Sequence, residues 1–176
     1  MVLAGRAEAF APLVTPYRGP VLALALRLTR DREVAREVAQ EAFFKAFRSL
    51  GRFDVSRSFR NWLFQIAANE ARDRLRERGR EQAALRDAAD RAPAAADPEA
   101  GQDRKELRAG LLGLLEALSP REREVVVLRD LEELDIRETS RVLGCSAVAV
   151  RVHLSRARRK LGDLIQRDFP HLEEGR

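Results

Sequence analysis

The densest run of chemistry-bearing side chains is residues 146–162, where Arg151, Arg156, Arg158, Arg159 and Lys160 occur with no acid between them. Val150, Leu154, Ala157, Leu161 and Leu164 recur there at helical spacing, which predicts a helix with one apolar stripe. Arg151, Ser155, Arg158 and Arg159 lie opposite that stripe. Guanidinium groups on an exposed helix suit a polyanion. An arginine can donate two hydrogen bonds to a guanine edge, worth about 1–3 kcal/mol of discrimination. Others can grip phosphates and fix register. A solvated basic helix would carry the same residues, so the preceding segment decides. Ser146 suits an N-cap, Gly144-Cys145-Ser146 a short turn, and residues from about Asp135 to Leu143 a helix before it. Helix, turn and basic helix form a helix-turn-helix pattern, whose second helix enters the major groove.

Other segments must position this one. Ser119-Pro120-Arg121-Glu122 has the spacing of a capping box with proline at the first helical position. Leu107, Leu111, Leu114, Leu115 and Leu118 precede it, and Val125, Val126, Leu128 and Leu131 follow. Near the N-terminus, Phe10, Leu13, Val14, Tyr17, Val21, Leu24 and Leu28 run at spacings of three and four, interrupted by Pro16 and Pro20. Asp31 is a natural N-cap for a second helix whose apolar face is Val34, Val38, Ala42, Phe43 and Phe47, with Gly51 as its expected stop. Residues 51–58 have turn chemistry. A third helix starts near Ser58, with Phe59, Trp62, Leu63, Ile66, Ala67 and Leu75 toward one face and Asn61, Gln65, Asn69, Arg72 and Arg76 toward another. The period of Trp62 favours a core role over base stacking. Residues 79–103 are rich in alanine and acid, with Pro93, Pro98 and almost no large apolar side chain, and are expected to be a flexible linker. The fold expected is all-α: two small helical domains, 1–78 and 104–176, joined by linker 79–103.

Charge supports a polyanionic partner and places it. The chain has 176 residues and a net charge of +5. Residues 1–78 carry 15 basic and 9 acidic groups, 79–103 carry 3 and 6, and 104–176 carry 15 and 13, giving +6, −3 and +2. Cys145 is the single cysteine, so no internal disulfide forms; it is read as packed in its turn in preference to a redox sensor. His153 and His171 stand too far apart to make a zinc site with it. No phosphate-cradling glycine loop, nucleophile–base pair or carboxylate dyad occurs, so neither an enzyme nor a cofactor is expected. The N-terminus lacks a signal-like apolar run, and no stretch approaches the ~20 apolar residues of a membrane span, so the expected location is cytoplasmic.

Residues 119–161, SPREREVVVLRDLEELDIRETSRVLGCSAVAVRVHLSRARRKL, resemble region 4 of the extracytoplasmic-function (ECF, group 4) sigma-70 factors. Residues 31–48, DREVAREVAQEAFFKAFR, resemble region 2.2, and residues 59–75, FRNWLFQIAANEARDRL, resemble regions 2.3 and 2.4. The likeness covers about residues 5–78 and 104–165 and leaves no room for regions 1.1 and 3. It implies three partners: core RNA polymerase through the β′ coiled coil and β flap, promoter DNA, and an anti-sigma factor. For polymerase docking the matching positions are Asp31, Glu37, Gln40, Glu41 and Lys45. The loop from Arg52 to Ser58 matches the segment that captures a flipped base of the −10 element, with Phe53, Ser56 and Ser58 forming its pocket and Asn61 and Asn69 beside it. Arg72, Arg74, Arg76 and Arg78 then follow phosphates. For the −35 element the matching positions are Ser146, Arg151, Val152, Ser155 and Arg156, with Arg158 and Arg159 on phosphates. Glu132, Glu133 and Asp135 are read equally as polymerase-facing or solvated. Ala147-Val148-Ala149, His153, Val34 and Arg36 depart from the family's usual residues and bear on promoter sequence and docking strength, not on fold. A stand-alone helix-turn-helix regulator is the competing reading, and it leaves residues 31–78 without a task.

Overall fold

The computed structural model of the chain describes residues 7–86, 110 and 113–168. Among the described residues the regular elements are all helical, as the periodicities require, and the chain divides into two compact units, Met1–Asp97 and Pro98–Arg176.

In the first unit the opening apolar run is cut at its prolines into α1 (Ala7–Val14), a 3-10 turn (Thr15–Tyr17) and α2 (Arg18–Thr29). Pro16 opens the turn and Pro20 stands in the first turn of α2, where an amide has no intrahelical partner to lose. Arg30 stops α2 in a left-handed conformation, φ 61°, donating its N–H to the Leu26 carbonyl at 2.8 Å. Asp31 then caps α3 (Arg32–Ser49), accepting the Glu33 and Val34 amides at 2.9 and 3.1 Å. Gly51 is not the left-handed stop the sequence suggested. Instead α3 runs into a 3-10 turn (Leu50–Arg52), and the Leu50 amide bonds back to Phe47. Tightening to i→i+3 bonds serves the last carbonyls without a glycine cap.

α4 (Phe59–Arg86) is the long element of this unit, and it packs with α2 and α3. The core is Val21, Leu24, Ala25 and Leu28 of α2, Val34, Ala35, Val38, Ala39, Ala42 and Ala46 of α3, and Leu63, Phe64, Ala67, Ala68 and Ala71 of α4. Alanines on α3 and α4 permit close approach of the backbones, while Phe64 is the bulkiest fully buried side chain. The expected face of α4 is displaced: Phe64, Ala68 and Ala71 are buried, whereas Trp62, Ile66 and Leu75 are half-buried. A helix gripped by two neighbours needs a wider apolar stripe than one period indicates. α4 also continues to Arg86, past the boundary expected at 78; the remaining linker residues, 87–103, lie outside the described residues.

The second unit is built on helix ends. Leu115 and Leu118 are buried; Leu107 and Leu111 lie outside the described residues. Ser119 caps α5 (Pro120–Val126) in the expected capping box, with the Ser119 amide donating to Glu122 Oε2 at 3.0 Å. Buried Arg123 donates to the Leu115 and Leu118 carbonyls at 2.8 and 3.1 Å and so closes the preceding turn. α5 then widens into a π turn (Val127–Leu131). Glu132, Glu133 and Asp135 part ways: Glu132 is buried, Glu133 turns the chain at φ 58°, and Asp135 caps α6 (Ile136–Leu143) in a second capping box with Glu138. α6 ends at left-handed Gly144, φ 60°, and Ser146 Oγ accepts the Ala149 amide at 3.1 Å at the start of α7 (Ala147–Asp168). α7 packs on α5 and α6; Val150, Leu154 and Ala157 are buried, as are Val125–Leu128, Leu134, Val142 and Leu143, while Leu161 and Leu164 are half-buried.

Glu122 also accepts Lys160 Nζ of α7 at 2.7 Å. The Lys160 hydrogen bond, helped by the Ser119 amide and hydroxyl against the opposing effect of burial, lowers its pKa from 4.5 to about 2. A depressed carboxyl contributes stability that is present above pH 4.5 and lost as pH falls through about 2. Glu122→Gln is therefore expected to be less stable than the parent at pH 7 and equal to it near pH 2, in urea denaturation of the full chain. Two glycines give opposite signs. Gly79 is helical and exposed with nothing within 4 Å of an added Cβ, so Gly79→Ala should gain about 1 kcal/mol. Gly144→Ala should lose about 1–2 kcal/mol, because φ is +60° there. Thermal unfolding of the full chain checks both.

Candidate functional site

α3 sets out the first group of candidate residues on its outer side. Glu37 and Gln40 are exposed and Glu41 half-buried, within one turn of each other. Lys45, one turn further along, donates to the carboxylate of Glu70, a residue only 6% exposed on α4. Arg74 of α4 reaches both Glu70 at 3.5 Å and Glu37 at 3.8 Å. The hydrogen bond to Glu70 outweighs desolvation and raises the Lys45 pKa. Glu37 and Lys45 are thus held from α4, whereas Gln40 has no partner among the described residues. Asp31 stands apart from them. It caps α3 and takes Arg78 of α4 on its second oxygen. Its partial burial would raise its pKa, but Arg78 and the Val34 and Glu33 amides prevail and lower it. Sequence reasoning missed Phe44, one turn beyond Gln40 and 52% exposed, with the Arg48 guanidinium 5.6 Å from its ring. A large exposed aromatic with acceptors on one side and an arginine on the other is the composition of a protein-docking surface.

The second group surrounds the loop before α4. The Phe53 ring packs on Trp62 at 4.9 Å and edge-on to Phe59 at 5.5 Å, with Tyr17 5.5 Å from Phe59. Trp62 therefore belongs to a half-buried aromatic cluster that roots the loop. Beyond it the loop is exposed. Asp54 accepts the Ser56 hydroxyl at 2.7 Å and the Ser56 amide at 3.0 Å, which hold its pKa low, and Val55 projects at 89% exposure. Ser58 is exposed and its Oγ accepts the Asn61 amide at 3.3 Å in the first turn of α4. Phe53, Ser56, Ser58 and Asn61 thus gather at one end. Asn69 lies about 12 Å further along the helix axis from Asn61 and Arg76 about 22 Å. Asn69 accepts Arg72 at 2.6 Å, and Arg76 lies 3.5 Å from Asp73. These form a polar strip leading away from the loop.

The third group is the outer side of α7. Arg151, Val152, Ser155, Arg156, Arg158 and Arg159 are all exposed, and Ser146 is at the cap. Arg151, Arg156 and Arg159 have no partner among the described residues. Arg158 has one: its Nε and Nη2 donate to the two carboxylate oxygens of Asp130, at 3.0 and 2.6 Å. That hydrogen bonding raises its pKa. Val148 and Val152, 65% and 41% exposed, are the exposed large apolar residues of this unit among the described residues. A basic helix with apolar side chains between its cations can meet both phosphates and the thymine methyl group. Among the described residues no group of three or more His, Cys, Asp or Glu side chains is placed to hold a metal ion, and no described helix is long and apolar enough to cross a membrane.

Comparison with known proteins agrees with this geometry. Residues 13–81 match the family model for Sigma-70 region 2, and residues 108–161 the model for Sigma-70, region 4. The RNA polymerase sigma-H factor of Pseudomonas aeruginosa is 32% identical over 171 residues, spanning 92% of this chain and 89% of that protein. The ECF RNA polymerase sigma-E factor of Escherichia coli K12 is 30% identical over 171 residues, with the same coverage. Among solved structures, CnrH in complex with the cytosolic domain of CnrY superposes with a TM-score of 0.68 at 32% identity, covering 95% of this chain and 94% of that one. The sigma factor RpoE bound to the anti-sigma factor NepR from Bartonella quintana shares the fold, with a TM-score of 0.76 at 23% identity over 92% of this chain and 99% of that one. A region 2 bundle followed by a region 4 helix-turn-helix, matched nearly end to end by curated relatives, makes this chain a member of the ECF group of the sigma-70 family of RNA polymerase sigma factors.

Proposed function

We propose that the three faces divide a sigma factor's work. The outer side of α3, with Glu37, Gln40, Glu41 and Phe44, docks on core polymerase. The loop at Phe53, Ser56 and Ser58, with Asn61, receives an unstacked base of the −10 element. Asn69, Arg72 and Arg76 conduct the strand away along α4, and Arg151, Val152, Ser155 and Arg156 enter the major groove at the −35 element, with Arg159 on a phosphate. The carrying observation is that one chain holds region 2 and region 4 in that order. A stand-alone regulator would have no use for the first.

The chemistry follows from the side chains. Gln40 and the carboxylates of α3 are hydrogen-bond acceptors for a basic partner helix, and Phe44 supplies apolar area. Base capture needs a rigid wall and polar edges; the aromatic cluster under Phe53 is the wall, and the Ser56 and Ser58 hydroxyls with the Asn61 amide are the edges. Residues 1–78 and 104–176 then act as two reading heads joined by the intervening segment. Polymerase holds both on one body, which raises the effective concentration of the second contact once the first is made. The same α3 face suits an anti-sigma factor, the class of partner held by the Bartonella quintana relative, and work beside polymerase puts the chain in the cytoplasm.

Run-off transcription tests the assignment, using purified core polymerase with and without the chain on DNA fragments from around its own gene. A discrete transcript that depends on the chain is expected; failure to bind core polymerase at all would overturn it. Within the second head, Arg151→Ala is expected to weaken binding at one −35 position, by about 1–3 kcal/mol. Arg159→Ala should weaken all promoters alike and reduce the salt slope by about one. Holoenzyme–promoter titrations over a set of single-base −35 variants separate the two patterns, and equal loss from both substitutions would sink the division.

A further inference from the structure

Two of the five cations of residues 146–162 are already engaged inside the fold. Arg158 is held by both oxygens of Asp130, whose side chain is 27% exposed, and Lys160 by Glu122, whose side chain is 6% exposed. Both acids belong to the segment against which α7 packs: Glu122 in the first turn of α5, Asp130 in the π turn that ends it. A π turn re-aims side chains relative to the helix it interrupts. Arg158 and Lys160 are two residues apart on α7, so they leave its axis about 200° apart. Grips on opposite flanks resist rotation of a helix about its own axis, which hydrophobic packing of Val150, Leu154 and Ala157 alone restrains weakly. Rotation is the variable that decides which side chains face a groove.

We propose that Asp130 and Glu122 are positioning residues for −35 reading. Through Arg158 and Lys160 they set the rotation of α7, and Arg151, Arg156 and Arg159 are left as the cations that meet DNA. This rests on the sigma-factor reading and alters one part of it. Family resemblance put Arg158 on a phosphate, whereas the geometry makes it a strut. The two-point guanidinium–carboxylate pair is a charge-assisted arrangement that a phosphate would have to break before using Arg158. Single-point surface ion pairs add little, but the two-point geometry and the part-buried Asp130 make this one the exception, and its directionality suits it to orientation.

The test is a charge swap in the full chain assembled with core polymerase. Asp130→Arg and Arg158→Asp are expected each to lower promoter affinity at least about tenfold, and the double variant to return to within about threefold of the parent, as coupled partners do. Its salt slope should equal the parent's, while Arg159→Ala loses about one from the slope. An aspartate at a true phosphate contact cannot be rescued from position 130. A double variant as weak as Arg158→Asp would therefore overturn the proposal, as would single variants of undiminished affinity. Lys160→Met is expected to leave the slope unchanged, and a slope lower by about one would put Lys160 on DNA. Binding of each variant to core polymerase through the other unit reports that the chain is recruited, and a thermal unfolding transition matching the parent's reports that the second unit is folded. If the parent itself fails to bind core polymerase, the sigma reading fails and not the strut.

Discussion

One oxygen of Glu122 accepts both the Ser119 amide that starts α5 and the ammonium of Lys160 on α7. The side chain is 6% exposed, so neither partner is readily replaced by water. The start of α5 and the helix α7 are joined through a single buried atom: without Lys160 the carboxylate is left buried and underpaired, and without the carboxylate α7 loses an anchor and α5 its reciprocal cap. Other contacts extend this frame. Arg123 closes the turn before Ser119 on two carbonyls, and Asp130 takes Arg158 at the far end of the same segment. A helix whose basic half has no acid of its own depends on acids elsewhere in the fold to fix it.

The first unit meets the same constraint with other residues. Alanine faces on α3 and α4 bring the helices together but carry little shape to fix their register. Polar pairs supply it. Asp31 ties the start of α3 to Arg78 near the far end of α4, and buried Glu70 draws Lys45 and Arg74 toward the middle. Those links use up Lys45 and Asp31. What stays available on the outer side of α3 is Gln40, Glu41 and the exposed Phe44, bordered by the exposed Arg36 and by Arg48, whose guanidinium lies over the Phe44 ring, a face with acceptors, apolar area and two cations. Pairing inside the unit thus shapes the face presented outside it.

Much of this was legible because helix ends are written locally. Ser119 with Glu122, Asp31 with its following amides, Gly144 and Ser146 act over three or four positions, and each stands where spacing put it. The elements that carry the candidate residues were legible in outline: the loop before α4, the polar strip along α4 and the exposed basic side of α7. Three things were not. The face of α4 was read from one period, while contact with two neighbours broadened it to Phe64, Ala68 and Ala71. Gly51 looked like a stop because glycine is a common one, yet a 3-10 turn did its work. Ion pairs spanning 25, 28, 38 and 47 positions leave no local signature, so Asp31 and Lys45 were read as free docking groups and Arg158 as a free cation.

That last difference changes the electrostatic argument. Counting charges in 146–162 gives five cations, but only Arg151, Arg156 and Arg159 lack partners among the described residues. Each neutralised phosphate contributes about 0.9 to the salt slope on duplex DNA, so these three set an upper bound near −3, and with Arg151 and Arg156 turned to bases the slope is shallower still. Tight binders at physiological salt make several more. Three unpartnered arginines are few contacts for a head that binds alone, and the net charge of +5 does not alter this, because most of the excess lies elsewhere: residues 1–78 carry +6 and residues 104–176 only +2. Weakness suits a two-headed reader. If either head bound tightly by itself, polymerase would be directed to half-promoters. With both heads weak, occupancy requires the two contacts together at the separation polymerase imposes, and specificity comes from their product. Tying Arg158 and Lys160 to acids of the scaffold lowers the sequence-independent part of binding while keeping the groove-facing side chains aimed, a gain in discrimination at the expense of affinity.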